Sequence, residues 1–255
     1  MNERETVIVL KQSDYRERDV LLTVYTAQFG KISFVATGAR RINSKNAGSI
    51  LPYGESEFLF DAVEGKTLFR LKSAHAISLF RHLRKDLAAT AAAGVVCEAL
   101  DAMTISGDSR DAKRLYAVLK ETLSALDEGL DPDTVLSVYL GDILTGFGCR
   151  PAVDGCAICG SDTVCALSAD EGGFLCAQHA VAKHVEPVDK ASLHRFRMIV
   201  RAGVKRLSFV CEKGGADIVD ADILVNMLEK YAGIRLKTYP FYKTVRGGRT
   251  KQEIV

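Results

Sequence analysis

Between residues 155 and 180 the chain reads GCAICGSDTVCALSADEGGFLCAQHA. Cys156 and Cys159 form one x-x-spaced pair, sixteen residues intervene, and Cys176 and His179 form a second such pair. Two short pairs separated by about 15–20 residues bring four soft donors around one tetrahedral zinc ion. The glycine-rich stretch between them can fold as a hairpin that returns the chain. Cys165 lies midway in that hairpin, outside both pairs, and reads as a packed or spare thiol. Cys97 and Cys211 fall on apolar helix faces, where free cysteine behaves as a small hydrophobe.

A catalytic zinc needs an open coordination position and a nearby general base. Zinc deaminases, for example, place H-x-E ahead of P-C-x-x-C. Here His184-Val185-Glu186 follows the cysteine pairs, and glycine rather than proline precedes Cys156. No nucleophile elbow, P-loop or dinucleotide fingerprint occurs. His75, His82, His184 and His194 are isolated and read as exposed or capping residues. The expectation is therefore one structural Zn2+ per chain held by Cys156, Cys159, Cys176 and His179, with no catalytic residues.

The elements around this segment fall into three regions. From residue 6 to about 74 the apolar period is near two, in TVIVL, VLLTVYT, KISFVA, ESEFLF and TLFRLKSA. Five short strands in about 70 residues suggest a small barrel, most often an OB-fold, with an SH3-like barrel as the rival. After residue 76 the period turns helical, with Ile77, Phe80, Leu83 and Leu87 at three- and four-residue steps. Leu115, Leu119, Thr122 and Leu126 mark a second helix, and Asp131-Pro132 caps and opens a third. Beyond the cysteines, DKASLHRFRMIVRAGVKRL and ADILVNMLEKYAGIRL read as two more helices. The fold expected is α+β and multidomain: a five-stranded OB-fold barrel (1–78), then an all-α domain (79–150 and 183–240) with a zinc-finger-like insert (151–182), then a flexible tail (241–255).

Charge is unevenly spread. Residues 1–85 carry 14 basic and 9 acidic residues, 86–185 carry 6 and 15, and 186–255 carry 14 and 8. Basic ends around an acidic middle fit a polyanion partner. Two stretches carry that reading. TGARRINSKNAGSI after the third strand is a basic loop without an acid, whose Arg40, Arg41 and Lys45 could neutralise phosphates. Tyr15, Tyr25 and Tyr53 are available for base stacking. Arg197, Arg201 and Lys205, spaced by four, line one face of a helix. With Lys31, these are the candidate DNA-binding residues. Seven cysteines, an acidic N-terminus without a signal-peptide pattern and no membrane-length apolar run lead to the expectation of a cytoplasmic, nucleoid-associated protein without a membrane partner.

The phrase GKISFVATGARR, the following LPYGESEFLF, the helical middle, the CAICG…GGFLC knuckles and the final helix together resemble the RecO family of bacterial recombination mediators, over nearly the whole chain. The resemblance implies an N-terminal OB-fold, a helical domain and a zinc-finger-like insert. It implies binding of single- and double-stranded DNA and annealing of complementary strands. It also implies partnership with RecR and with the C-terminal tail of single-stranded DNA-binding protein, and indirectly with RecA. That tail is expected on the helical domain, around Arg197, Arg201 and Lys205. His179 stands where the family pattern often has Cys. Two other readings remain open on the residues alone, a zinc-dependent nucleic-acid-modifying enzyme and a protein-binding adaptor.

Overall fold

The computed structural model describes residues 2–249, and the chain divides into two compact units, Met1–Glu128 and Gly129–Val255. The first begins with strands β1 (Asn2–Tyr15), β2 (Asp19–Thr26), β3 (Gly30–Ala36), β4 (Glu55–Asp61) and β5 (Leu68–Ser78). They close a barrel in the order β1-β2-β3-β5-β4. Strands β3 and β5 run parallel and the other neighbours antiparallel. This is the OB-fold arrangement, and the period-two pattern is what builds it. In β3, Gly30, Ile32, Phe34 and Ala36 are buried while the alternate residues are half-exposed. Phe34 meets Phe58 edge-on at 5.2 Å and Phe60 at 4.9 Å, in the geometry aromatic rings prefer. Strand β1 pairs with β4 from Asn2 to Ile8 and with β2 from Val7 to Tyr15, with a bulge between Val9 and Lys11 that bends it.

The helical period expected from residue 76 begins later. Strand β5 continues to Ser78, so Ile77 lies in a strand. Phe80 adopts a positive φ of 44°, and Leu83 sits in a short 3-10 turn. Helix α1 (Leu87–Met103) starts where the Asp86 carboxylate accepts hydrogen bonds from the Ala88 and Ala89 N–H groups. Leu87 itself is exposed. The three- and four-residue spacing there joins a strand end, a turn and a helix start that share no face.

Helix α2 (Ala112–Asp127) buries Leu115, Leu119, Thr122 and Leu126, as their spacing requires. Both α1 and α2 belong to the compact unit of the barrel, although the sequence groups them with the later helices. Charged staples fasten them to it. Glu55, 3% exposed on β4, accepts hydrogen bonds from Tyr116 Oη and Lys120 Nζ, each at 2.7 Å. Burial and this carboxylate push the Tyr116 phenol far above its ordinary range.

The second unit is helical. Helix α3 (Pro132–Gly146) starts as expected, with the Asp131 carboxylate accepting from the Thr134 N–H and proline in the first turn. Its residues from Pro132 to Gly141 are all buried, which makes it the central helix. Strands β6 (Ala166–Ser168) and β7 (Gly173–Leu175) and helix α4 (Ala177–Ala182) form the cysteine-rich insert. Helices α5 (Lys190–Ala202), α6 (Leu207–Glu212), α7 (Ile218–Ala232) and α8 (Tyr239–Arg249) complete the unit, and α5 and α7 pack on α3.

Two sequence expectations change in this unit. Gly203 takes φ 63° and ends α5, so the stretch read as one helix is broken before Lys205. Residues 241–249, expected to open a flexible tail, continue α8, and residues 250–255 lie outside the described chain. Helix α8 is bolted to the start of α3. Tyr242 donates to Asp133, and Arg246 bridges Asp131 and Asp133. Among the described residues no helix is long and apolar enough to cross a membrane.

Candidate metal centre and nucleic-acid interface

The insert brings together the four donors that the spacing picks out. The ligand atoms of Cys156, Cys159, Cys176 and His179 all lie within 4.8 Å of one another. The first knuckle is closed by the Cys156 N–H donating to the Ser161 carbonyl at 2.9 Å and the Gly160 N–H donating to the Cys156 carbonyl at 2.8 Å. Cys176 immediately precedes α4, which puts His179 in the first helical turn beside it. The hairpin β6–β7 between the pairs returns the chain, and Cys165 packs beside it as a half-buried thiol.

A tetrahedral zinc with bonds of about 2.3 Å to sulfur and 2.0–2.1 Å to nitrogen sets the donors about 3.8 Å (S···S) and 3.6 Å (S···N) apart. Cys159 Sγ and Cys176 Sγ are 3.9 Å apart, and His179 Nδ1 lies 3.5 Å from Cys156 Sγ and 3.2 Å from Cys176 Sγ. The donor set thus fits one zinc-sized ion. Burial opposes ionisation of Cys156, but the backbone N–H groups of Cys176, Cys159 and Ile158 bring its thiol down to about 6. The thiolate is the form that ligates a metal.

The insert is braced against its own unit. Arg197 Nε donates to the Val153 carbonyl at 2.6 Å, and its guanidinium lies 5.4 Å from the centre of the Phe174 ring. Phe174 packs against Phe196. Arg201 pairs with Asp154. Lys230 pairs with Asp170 at 2.9 Å, and Tyr231 Oη donates to the Asp170 carbonyl at 2.7 Å. Arg197 is a bracket for the insert, while Arg201, paired with Asp154 at the surface, stays more than half exposed. Both lie on α5, and Lys205 lies beyond its end.

On the barrel the candidates separate. Lys31 Nζ donates to the Asp101 carbonyl at 2.5 Å and pairs with its carboxylate at 3.1 Å, leaving the lysine side chain 12% exposed. Its charge is spent inside the fold. Lys31→Met should lower stability by roughly 1–3 kcal/mol, because among the described residues the Asp101 carboxylate then keeps only Lys11 as a partner. The salt dependence of DNA binding should stay as it is. An unchanged melting curve with a shallower salt slope would return Lys31 to the DNA surface.

Arg40, Arg41 and Lys45 are exposed on the loop between β3 and β4. Arg40 shares a surface ion pair with Asp14 at 3.0 Å. The loop lines a concavity of about 780 Å3 together with Arg18, Thr37 and Asn46. Thr37 also lines two adjoining depressions, one with Arg70 and Lys72 and one with Tyr15, Arg16 and Arg70. The three depressions meet at Thr37 and form a mainly basic trough, with Glu17, Asp19 and Asp61 among its lining and Lys72 paired with Asp61 at 2.7 Å.

Two family models match, Recombination protein O N terminal over residues 1–80 and Recombination protein O C terminal over residues 84–240. The DNA repair protein RecO of Bacillus mycoides (strain KBAB4) is 33% identical over 236 residues, 92% of this chain and 94% of its own. That of Bacillus cereus (strain AH187) is 31% identical with the same coverage. The chain belongs to the RecO family.

Arg16, Arg18, Arg70 and Lys72 are trough residues of this RecO-family barrel that the sequence alone does not single out. They are scattered in the chain and converge only when β3 pairs with β5, at Ser33–Leu68 to Val35–Arg70. Alternation along β5 could have pointed to Arg70 and Lys72, which flank buried Leu71. The aromatic candidates thin out. Tyr25 is fully buried and Tyr53 half-buried, while Tyr15 stays at the surface with the Arg16 guanidinium 5.2 Å from its ring centre.

Proposed function

We propose that this RecO-family chain acts in DNA repair as a recombination mediator without covalent catalysis. It binds single- and double-stranded DNA, anneals complementary strands and, with RecR, helps load RecA onto DNA coated with single-stranded DNA-binding protein. The observation that carries this reading is the mainly basic trough around the loop between β3 and β4. Annealing needs two repelling backbones neutralised and bases left free to pair, and a sequence-blind basic surface on a rigid barrel supplies the first. The family resemblance supports the protein partners and a site of action in the cytoplasm on the nucleoid. The tail of single-stranded DNA-binding protein is read as docking on the helical unit around Arg197, Arg201 and Lys205, of which Arg201 stays exposed beside Asp154. Cys156, Cys159, Cys176 and His179 are read as holding one structural zinc, which would cross-link the two ends of the insert.

Annealing of complementary oligonucleotides pre-coated with single-stranded DNA-binding protein should accelerate when the chain is added. No acceleration at any salt concentration overturns the reading. Replacing Arg40, Arg41 and Lys45 together by Ala should flatten the salt slope of binding by roughly 0.7–0.9 for each phosphate that is no longer neutralised. Stability should move by no more than about 0.5 kcal/mol, since these are exposed loop charges. Binding with an unchanged slope would place the DNA elsewhere.

A further inference from the structure

Ile42 stands at the tip of the basic loop with a relative exposure of 103%, as open to water as a side chain can be. The loop around it is not slack. The Arg41 N–H donates to the Gly38 carbonyl at 3.1 Å, and the Ser44 N–H donates to the Arg41 carbonyl at 3.0 Å. Ile42 and Asn43 are thus the central pair of a tight turn, a position that glycine, proline, asparagine, aspartate and serine usually fill. The flanks are pinned to the barrel. The Gly38 N–H donates to Asp19 Oδ1 at 2.8 Å, and the Ala74 N–H donates to Asn46 Oδ1 at 3.1 Å. The loop also buries two other apolar residues, Ile50 and Ala39, in the barrel core. Ile42 is left out of the core and held outward, between Arg41 and Lys45.

We propose that Ile42 is an apolar wedge that enters the base stack of DNA held by the neighbouring cations. This rests on the reading of the trough as a DNA surface. Cations on either side fix the phosphates, and the side chain between them then lies where base edges are. Branched aliphatic side chains so placed part successive bases and kink the strand. A preorganised turn makes the insertion efficient, since the loop does not have to be ordered first. For annealing, a parted step exposes pairing edges that a stacked single strand hides.

The test uses the full-length protein and two probes, a single strand carrying 2-aminopurine at its centre and a duplex carrying it beside one mismatch. Saturating parent protein should raise 2-aminopurine emission, the signature of unstacking. Ile42→Ala and Ile42→Ser should cut that rise about threefold or more, and Ile42→Phe should keep it. All three should retain the parent salt slope and melting temperature, because the residue carries no charge and its side chain is fully exposed. A full rise with Ile42→Ala overturns the wedge, even if the variant loses a protein partner. An unchanged salt slope in the Arg40, Arg41 and Lys45 triple variant would instead overturn the DNA reading on which the wedge depends.

Discussion

Cys156→Ser is expected to lower the zinc content of the purified protein from about one equivalent per chain to a small fraction of that. The helical unit should lose about 3–5 kcal/mol of stability, the scale expected when a structural metal is removed. The reason lies in how small the apolar cluster around the donors is. Its buried apolar cluster is Cys156, Ala166, Leu175, Cys176 and Ala180, and two of those five are themselves donors. A cluster of that size does not offset the entropy of ordering a segment of this length. The loss should spread through Arg197, Arg201 and Tyr231, which hold the insert against α5 and α7. DNA affinity of the protein that remains folded should change little, because the trough residues belong to the other compact unit. His179→Cys keeps four soft donors and should retain both metal and stability. A metal-free Cys156→Ser protein that melts like the parent would contradict the assignment.

The second large effect is expected at Gly30. This residue has φ 64°, and a Cβ built on it would stand 2.2 Å from the Asp108 carbonyl oxygen. The segment that it meets is fixed, since the Gly107 N–H donates to the Lys31 carbonyl at 2.9 Å and Lys31 also reaches Asp101. Gly30→Ala therefore combines an unfavourable left-handed backbone with a clash against main chain that has nowhere to go. The two together should cost about 3 kcal/mol or more and lower the melting temperature by roughly 10 °C. Gly65→Ala is the control. It shares a positive φ, 74°, but nothing lies within 4 Å of its added Cβ. It should cost about 1 kcal/mol, the backbone contribution alone. Equal melting of the two variants would mean that the main chain at Asp108 gives way.

Much of the barrel is legible in the chain because alternation and turn residues act locally. Ile32, Phe34 and Ala36 announce one face of β3, and Asp131-Pro132 announces the start of α3, before any tertiary contact is known. The four metal donors are legible for the same reason, since each pair clamps two corners within four residues of chain. What the sequence hides is pairing between distant charges. Lys31 looks like part of a basic motif until Asp101, seventy residues away, neutralises it. Arg197 looks like a free surface cation until the Val153 carbonyl and the Phe174 ring claim it. Arg16, Arg18, Arg70 and Lys72 look unrelated until the barrel closes. Tyr25 looks available for stacking, but on the outer face of β2, opposite the core residues Leu22 and Val24, it is buried beside Asp108, Asp111 and Arg114. Helix α8 is hidden because its Gly-containing sequence is weakly helical, while its contacts, buried Tyr239 and Tyr242 and the Arg246 pairs with Asp131 and Asp133, are made with distant residues.

The strand order also sets how the barrel must assemble. Strands β1, β2 and β3 form a meander of near neighbours, and β4 and β5 form a hairpin of their own. Both remaining seams, β1 with β4 and β3 with β5, join those two pieces, and their paired residues lie from 35 positions apart, as Ser33 and Leu68 do, to 59, as Asn2 and Asp61 do. Seams so distant in sequence close slowly, because loop entropy opposes them until both partners are present. During synthesis, at about 5–20 residues per second, the meander leaves the ribosome seconds before the hairpin. Through that interval Phe34 waits without Phe58, Phe60 and Phe69, the rings that will cover it. The nascent meander is thus an open three-stranded sheet with two bare edges, the point in the life of this chain at which it is most exposed to aggregation.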